Sequence, residues 1–342
     1  MHNKSFPARL KVIVARSAPY AVIFRRGPND RVCTIGWDLK TDTFSVGQWL
    51  KGRIYPHRAD LSPDGKYMIY FAADFRRPDK LREFEEQLRF EEFGENPKPD
   101  HAAIVSLISE NVSTVSIANK LMADKHFGKE IKQRRAVAEK YAKKIVSFSG
   151  SANDGAPSWT AISRTPYLKA LDLWFNGSAW NGGGLFMDQN HVWLNSTPVH
   201  RHRCAGRRSK FNVSEEFPFE EYYGGEDAGV YFPRLLRDGW EMIDDDDHQT
   251  VFAKKLTESW TIQKCFAFAP DSGYYETHAL THTDGRATPD AAGWCWADFD
   301  RSRKRIIYAQ DGKIFALKLG SATPKMLCDS NPLEFEHLYA PY

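Results

Sequence analysis

The sequence predicts a mainly β protein with a propeller-like arrangement of five or six blades and one helical insertion. Three observations lead to this fold class. Aromatic residues make up 13% of the chain, and Trp, Tyr and Phe favour pleated, half-buried surfaces. Short β-branched and aromatic segments recur between clusters of turn residues. A two-strand pattern near the start also returns near the end.

Strand candidates follow one another along most of the chain and are separated by Gly, Pro, Asn and Asp. They lie at 10–15, 20–24, 32–39, 44–50, 58–61, 67–72, 158–163, 184–187, 191–194, 229–232, 251–253, 260–268, 274–280, 296–309 and 314–319. One other element interrupts them, because the segment 166–174 begins at a proline and predicts a short helix.

The repeated pattern is Asp60-Leu-Ser-Pro-Asp-Gly65 followed by a strand, and Asp298-Phe-Asp300 followed by a second strand. A Ser-Pro-Asp-Gly sequence is typical of a tight turn, since Pro presets φ and Gly accepts a positive φ. Blade repetition protects the edges of many short antiparallel strands. Two copies therefore favour a propeller of roughly 40–50 residues per blade. A β-sandwich is the structural alternative.

The region 76–148 has a different character and predicts a helical insert, so that 1–75 and 149–342 form the β domain. Apolar residues at 81, 84 and 88 recur at a helical period. Ser113 is placed to cap a further helix. Loops of a scaffold tolerate large additions of this kind.

Composition excludes several classes of protein. The formal net charge is +3, so the whole chain makes no electrostatic case for nucleic acid or an anionic membrane. The five cysteines are far apart and form no C-x-x-C pair, which argues against a disulfide framework and a zinc ribbon. Neither a secretory signal nor an apolar run of bilayer length is apparent. We expect a cytoplasmic protein without a membrane partner, metal or cofactor.

Several segments together resemble a family of uncharacterised bacterial proteins with WD40-like or TolB-like propeller repeats. The segments are 18–28, 47–55, 60–65, 158–168 and 181–186. The resemblance covers roughly 7–75 and 157–200, and the stretch 76–148 departs from it. It implies the propeller fold and carries no activity.

A polar cluster within ten residues is the first candidate site: Lys51, Arg53, His57, Arg58 and Asp60. Arg and Lys could bind an anionic partner or ligand at the rim or central channel while His57 moves a proton. Alternatively, His57 and Asp60 make hydrogen bonds that fix the blade, and the basic residues are solvated.

Basic residues in the insert form the second candidate, since Lys and Arg release counterions from phosphates. Those selected for nucleic-acid contact are Lys129, Lys132, Arg134, Arg135, Lys143 and Lys144, with Arg207 and Arg208 from a second basic run. The alternative is an amphipathic helical pair with a solvated basic face.

Two further clusters are weaker candidates for a functional site. Glu220, Glu221, Glu226 and Asp227 could supply the paired carboxylates of a glycosidase. His200, His202 and Cys204 have metal-ligating types, but no companion pair stands at zinc spacing. No Walker loop, G-x-S-x-G or H-E-x-x-H motif is present. The sequence therefore selects no catalytic residue.

Three functions follow in order of preference. The first is a non-enzymatic interaction scaffold that binds a partner protein through its rim and helical insert. The second is nucleic-acid binding through the basic insert. The third is a hydrolase or lyase in the central channel, which requires His57, Asp60 and the pair Glu226 and Asp227 to converge.

Overall fold

The computed structural model describes residues 6–27, 31–73, 158–176, 181–195, 203–214, 228–246, 248–269, 273–286 and 288–342. Within them lie twenty strands and one helix, α1 (Ala228–Arg237). The strands are β1 (Arg9–Val14), β2 (Tyr20–Arg26), β3 (Arg31–Asp38), β4 (Thr43–Lys51), β5 (Arg53–Leu61), β6 (Tyr67–Ala73), β7 (Ser158–Arg164), β8 (Ala170–Asn176), β9 (Gly184–Phe186), β10 (His191–Leu194), β11 (Arg203–Gly206), β12 (Asn212–Ser214), β13 (Glu241–Asp245), β14 (Gln249–Lys255), β15 (Trp260–Ala269), β16 (Gly273–His282), β17 (Trp296–Asp300), β18 (Arg305–Gln310), β19 (Lys313–Lys318) and β20 (Lys325–Asp329).

These strands form five sheets, and each sheet is one blade of a propeller. Blade 1 is β1-β2-β3-β4, blade 4 is β13-β14-β15-β16 and blade 5 is β17-β18-β19-β20. Blade 2 has the order β11-β8-β7-β6-β5, and blade 3 has the order β12-β10-β9. The first strands of neighbouring blades meet, since β1 contacts β5 and β17, and β5 contacts β9. The prediction of a mainly β propeller is confirmed, with five blades.

Hydrophobic cores lie between successive blades. Separate buried clusters join blade 1 to blade 2, blade 2 to blade 3, blade 4 to blade 5, and blade 5 back to blade 1. Between blades 3 and 4 the contact is made by α1, where Val230 packs on Trp193 of β10 and Phe232 packs toward Phe252 of β14. Burial of apolar surface between sheets is therefore what closes the ring.

The helix α1 occupies a segment that the sequence predicts as a strand at 229–232, and that prediction is wrong. Gly229 and Pro233 are poor helix formers, so local propensity conceals the helix. It ends at Arg237, and Gly239 two residues later has a φ of 86°, which lets Trp240 N donate to Leu235 O at 3.0 Å. This C-terminal motif satisfies the last carbonyls and buries Trp240.

The predicted helix at 166–174 is also wrong, because Ala170–Asn176 forms strand β8. β8 pairs antiparallel with β7 over its length, with Ala161 opposite Leu173. The interstrand hydrogen bonds and the burial of Trp174 outweigh the local helical signal.

The repeated two-strand pattern corresponds to equivalent hairpins. Asp60 lies in β5 before the turn to β6, and Asp298 lies in β17 before the turn to β18. In the first turn Gly65 has a φ of 72°, as its sequence predicts. Both hairpins are the first two strands of a blade, which explains why the pattern repeats.

The last thirteen residues run across three blades without regular structure. Asn331 accepts a hydrogen bond from Ala8 N at 2.9 Å, and Leu338 O accepts one from Gln48 Nε2 at 2.8 Å. The Tyr342 hydroxyl donates to Lys169 O at 2.7 Å. The segment therefore joins blade 5 to blades 1 and 2. The predicted insert at 76–148 lies outside the described residues, whereas its flanking strands pair directly, with Ala73 opposite Ser158.

Gly183 provides a test of the packing between blades 2 and 3. Its φ is 79°, and a Cβ there would overlap the carbonyl oxygen of Arg58. We expect Gly183→Ala to lower the free energy of unfolding by about 2–4 kcal/mol, measured by urea denaturation. Gly320 has the same φ of 79° with open space around it, so Gly320→Ala should cost only about 1–2 kcal/mol. Equal losses in the two variants would contradict this packing.

Candidate functional site

The candidate site lies where α1 packs against the inner strand β5 of blade 2. His57 and Asp60 are three residues apart and would point to opposite faces of a regular strand. However, the pairing of β5 with β6 shifts between Tyr55 and Asp60. This irregularity contains Pro56, which has no N–H for the ladder. Both side chains consequently reach α1: the His57 ring stacks on Tyr231 at 4.2 Å, and Asp60 pairs with Arg237.

A buried carboxylate, Glu276 of β16, is the centre of the first half of the site, and its side chain is 2% exposed. One oxygen lies 2.5 Å from Lys11 Nζ of β1 and 3.6 Å from His57 Nε2. The other oxygen lies 3.0 Å from Lys264 Nζ of β15 and 3.1 Å from His278 Nε2.

The Tyr231 hydroxyl completes this cluster from the helix. It donates to Glu276 at 3.1 Å and accepts from Lys264 at 3.0 Å. The five groups around the carboxylate come from blades 1, 2 and 4 and from α1. We call these six residues the Glu276 cluster: Lys11, His57, Tyr231, Lys264, Glu276 and His278.

The charges of this cluster determine its protonation states. Burial would raise the pKa of Glu276, but Lys11 and Lys264 outweigh burial and hold that pKa well below its usual range. Burial lowers the pKa of His278, which favours its neutral form. Burial and then the negative charge of Glu276 raise the pKa of Tyr231. The carboxylate therefore stays ionised and the phenol stays protonated.

The second half of the site is a chain of ion pairs at the C-terminal end of α1. Arg237 donates to both oxygens of Asp60, at 2.6 and 2.9 Å, and to Asp238 at 2.9 Å. Asp60 also accepts from Phe186 N of blade 3 at 2.8 Å. Arg234, one turn earlier, donates to the carbonyls of Pro56 and Ala59. Bidentate pairs of this kind fix orientation strongly, so they hold α1 in place on β5.

A pocket of about 450 Å³ opens beside these ion pairs. Its walls are the turns between β1 and β2, between β3 and β4 and between β17 and β18, together with the end of α1. Its charged lining residues are Arg16, Lys40, Arg237, Asp238, Lys254, Asp298, Asp300 and Arg301. We call this the turn-face pocket.

The first predicted cluster does not form one site. His57 and Asp60 both contact α1, as described above. Arg58 is fully buried with its guanidinium over the rings of Tyr55 and Phe71, at 4.9 and 5.1 Å. Lys51 and Arg53 are exposed at the opposite end of the strands. Lys51, Arg53 and Arg58 therefore do not share a site with His57 and Asp60.

Only two of the predicted nucleic-acid residues fall within the described residues. Arg207 and Arg208 are exposed, and Arg207 donates to Phe211 O at 2.6 Å. Buried Asp172 holds their turn by accepting from Arg208 N at 2.5 Å. The remaining basic residues, together with Glu226, Asp227, His200 and His202, lie outside the described residues, as does the side chain of Cys204.

The described part of the chain offers neither a metal site nor a membrane-spanning helix. No group of three or more His, Cys, Asp or Glu side chains there could hold a metal ion. No helix there has both the length and the apolar character to cross a membrane. The expected cytoplasmic location stays a prediction.

Sequence reasoning missed Lys11, Lys264, Glu276 and His278. A signal for some of them exists, since Lys264 alternates with buried Trp260, Ile262 and Phe266 on one face of β15. His278 lies directly opposite Lys264 on the neighbouring strand. A charged residue on the apolar face of a strand indicates a buried partner.

Glu276→Gln should destabilise the fold strongly. The substitution leaves Lys264 and Lys11 buried or half-buried without their carboxylate, and removing one member of a buried pair costs about 3–5 kcal/mol. Urea denaturation measures the loss. Asp284→Asn is the matched control, because its ion pair with Arg286 is exposed, and the free energy of unfolding should be nearly unchanged. Similar losses in both variants would contradict the role of Glu276.

The pH dependence of stability follows from the same carboxylate. Its pKa is lowered on folding, so its contribution is present above its usual value of about 4.5 and is lost as the pH falls below it. We expect the urea midpoint of the unsubstituted protein to decrease below about pH 4.5. In Glu276→Gln this decrease should be smaller. An equal decrease in both proteins would assign the acid sensitivity to other carboxylates.

Comparisons with known proteins give limited similarity. No family model matches the chain, and no curated protein matches its sequence. The acylaminoacyl peptidase of Pyrococcus horikoshii is 7% identical with a TM-score of 0.26, covering 94% of this chain and 45% of that chain. The tricorn protease is 10% identical with a TM-score of 0.22, covering 94% of this chain and 26% of that chain. This chain therefore spans less than half of either protein. Membership of the bacterial family that the sequence resembles stays a prediction.

Proposed function

We propose that the protein is a non-enzymatic interaction platform that binds a partner protein through the propeller and, as the sequence predicts, through the insert at 76–148. The observation that carries this proposal is the distribution of charge. Ionisable groups where α1 meets β5 and β16 are buried and paired with one another, whereas the turn-face pocket presents charged groups to solvent. Such an arrangement suits binding at the surface better than chemistry at the centre.

The state of Asp60 supports this proposal over a hydrolase or lyase. Its side chain is 1% exposed, and both oxygens accept hydrogen bonds from Arg237. A general base needs a carboxylate oxygen within reach of a substrate proton. The charges of Lys11 and Lys264 lower the pKa of Glu276 and so make this carboxylate a weak base. Both carboxylates therefore serve better as structural anchors than as bases.

Nucleic-acid binding is the alternative proposal, and it depends on the basic residues of the insert. Arg207 and Arg208 are exposed, which is consistent with nucleic-acid binding and equally with a solvated turn. Nucleic-acid binding is distinguished by an affinity that falls steeply with salt concentration, because each phosphate contact releases counterions.

Selection from a displayed library of random dodecapeptides tests the proposed function. The full-length chain should enrich a consensus sequence, and a synthetic peptide of that sequence should bind with a Kd of roughly 1–100 μM by calorimetry. Heat-denatured protein should enrich no consensus. A 20-nucleotide single-stranded DNA should bind weakly, with little change between 50 and 200 mM salt.

The opposite result would contradict the proposal. If no peptide is enriched, and the DNA binds with a steep salt dependence that Lys143→Glu with Lys144→Glu reduces, the alternative function replaces the platform. These two lysines lie in the basic segment that the sequence selects.

A further inference from the structure

The charges that line the turn-face pocket do not cancel. Five cations and three carboxylates line it. Each carboxylate already has a partner: Asp298 lies 2.8 Å from Lys254, and Asp238 lies 2.9 Å from Arg237. The third, Asp300, lies 2.9 Å from Arg305 behind the wall. The remaining cations are Arg16, Lys40 and Arg301, and none has a carboxylate within 4.0 Å among the described residues.

Arg16 is the most constrained of these three cations. Its Nη2 donates to the carbonyls of Phe186 at 3.0 Å and Met187 at 3.3 Å, which fixes the plane of the guanidinium. Its Nε is buried and has no acceptor among the described residues. Burial and the charge of Arg237 lower the pKa of Arg16, and the charges of Asp60, Asp238 and Asp188 oppose this only in part. A guanidinium that is held in one plane at the wall of a pocket is suited to a carboxylate.

Lys40 and Arg301 line the same pocket from two turns. Lys40 is exposed on the turn between β3 and β4, and Arg301 is exposed on the turn between β17 and β18. The Arg301 guanidinium lies over Gly239, with Nη2 3.3 Å from the position a Cβ would take there. Together the three cations can surround an anionic group on more than one side.

The pocket also has apolar walls. Val14, Pro19 and Phe299 line it beside the cations. A volume of about 450 Å³ is within the range of ligand sites and holds only a few residues of a peptide. A nucleic-acid backbone instead needs a track of successive phosphate contacts. The combination fits an acidic side chain next to an apolar one.

We propose that the turn-face pocket binds an acidic segment of a protein partner, with a Glu or Asp carboxylate on Arg16 and the neighbouring apolar side chain against the wall. Lys40 and Arg301 attract the same segment electrostatically. This inference rests on the proposed function and specifies the chemistry of the partner.

Fluorescence anisotropy with a labelled hexapeptide of alternating glutamate and leucine tests the pocket in the full-length chain. We expect Arg301→Ala combined with Lys40→Ala to weaken binding about tenfold or more, because two charge-assisted contacts are lost. Both residues are exposed, so the fold should be preserved, which the urea midpoint checks. Lys325→Ala is the control variant. It removes an exposed charge of blade 5, the blade of Arg301, outside the pocket, and it should change the Kd less than about twofold.

Arg16→Lys is the more specific variant, since it keeps the charge and removes the planar fork. We expect Arg16→Lys to bind the glutamate peptide about fivefold more weakly or worse. A matched peptide of alternating glutamine and leucine should bind to the unsubstituted protein at least about tenfold more weakly than the glutamate peptide does.

Three results would overturn the inference. The glutamine peptide could bind as well as the glutamate peptide, the pocket variants could match Lys325→Ala, or a single-stranded DNA could bind with the same sensitivity to the pocket variants. If peptides with a neutral consensus are selected and bind independently of Arg301, the interaction platform stands and the pocket assignment fails. If nothing is selected and the glutamate peptide does not bind, both fail.

Discussion

The arrangement of the inner part of the propeller depends on one buried carboxylate. Glu276 is the negative charge on which Lys11 and Lys264 both converge, and these cations come from different blades. Taking charges out of water is costly unless they are paired and hydrogen-bonded. The cluster therefore favours one relative placement of blades 1, 2 and 4 with α1, and a shift of blade 1 against blade 4 would separate the buried carboxylate of Glu276 from Lys11.

The helix connects this cluster to the surface. Tyr231 belongs to the Glu276 cluster, whereas Arg237, six residues later, pairs with Asp60 and lines the turn-face pocket. One helix thus fixes a closed network at its start and one wall of an open pocket at its end. A ligand in the pocket would contact a side chain whose position is already fixed by bidentate hydrogen bonds, which lowers the entropic cost of binding.

Sequence periodicity predicts most strands of the blades but not the site. Strands such as β2 and β18 are continuous apolar segments between turn residues, so local pattern and global fold agree. The helix was missed because Gly229 and Pro233 oppose helix formation locally, and tertiary packing prevails. The Glu276 cluster was missed because Lys11 and Glu276 are 265 residues apart. No local pattern encodes a contact over that separation.

The equivalence of the first hairpins explains why the pocket carries excess positive charge. Ser62 and Ala15 each donate from their N–H to the carbonyl five residues later, so the position of Asp60 in blade 2 corresponds to Ile13 in blade 1. In blade 5 the corresponding residue is Asp298, which pairs with Lys254. Blades 2 and 5 therefore supply a carboxylate at this position, and blade 1 supplies an apolar side chain. Arg16 itself is not a departure from the repeat, since blade 5 has Arg301 at the equivalent position. Blade 1 differs because it supplies Arg16 and Lys40 to the pocket without any carboxylate, so the excess positive charge comes from blade 1.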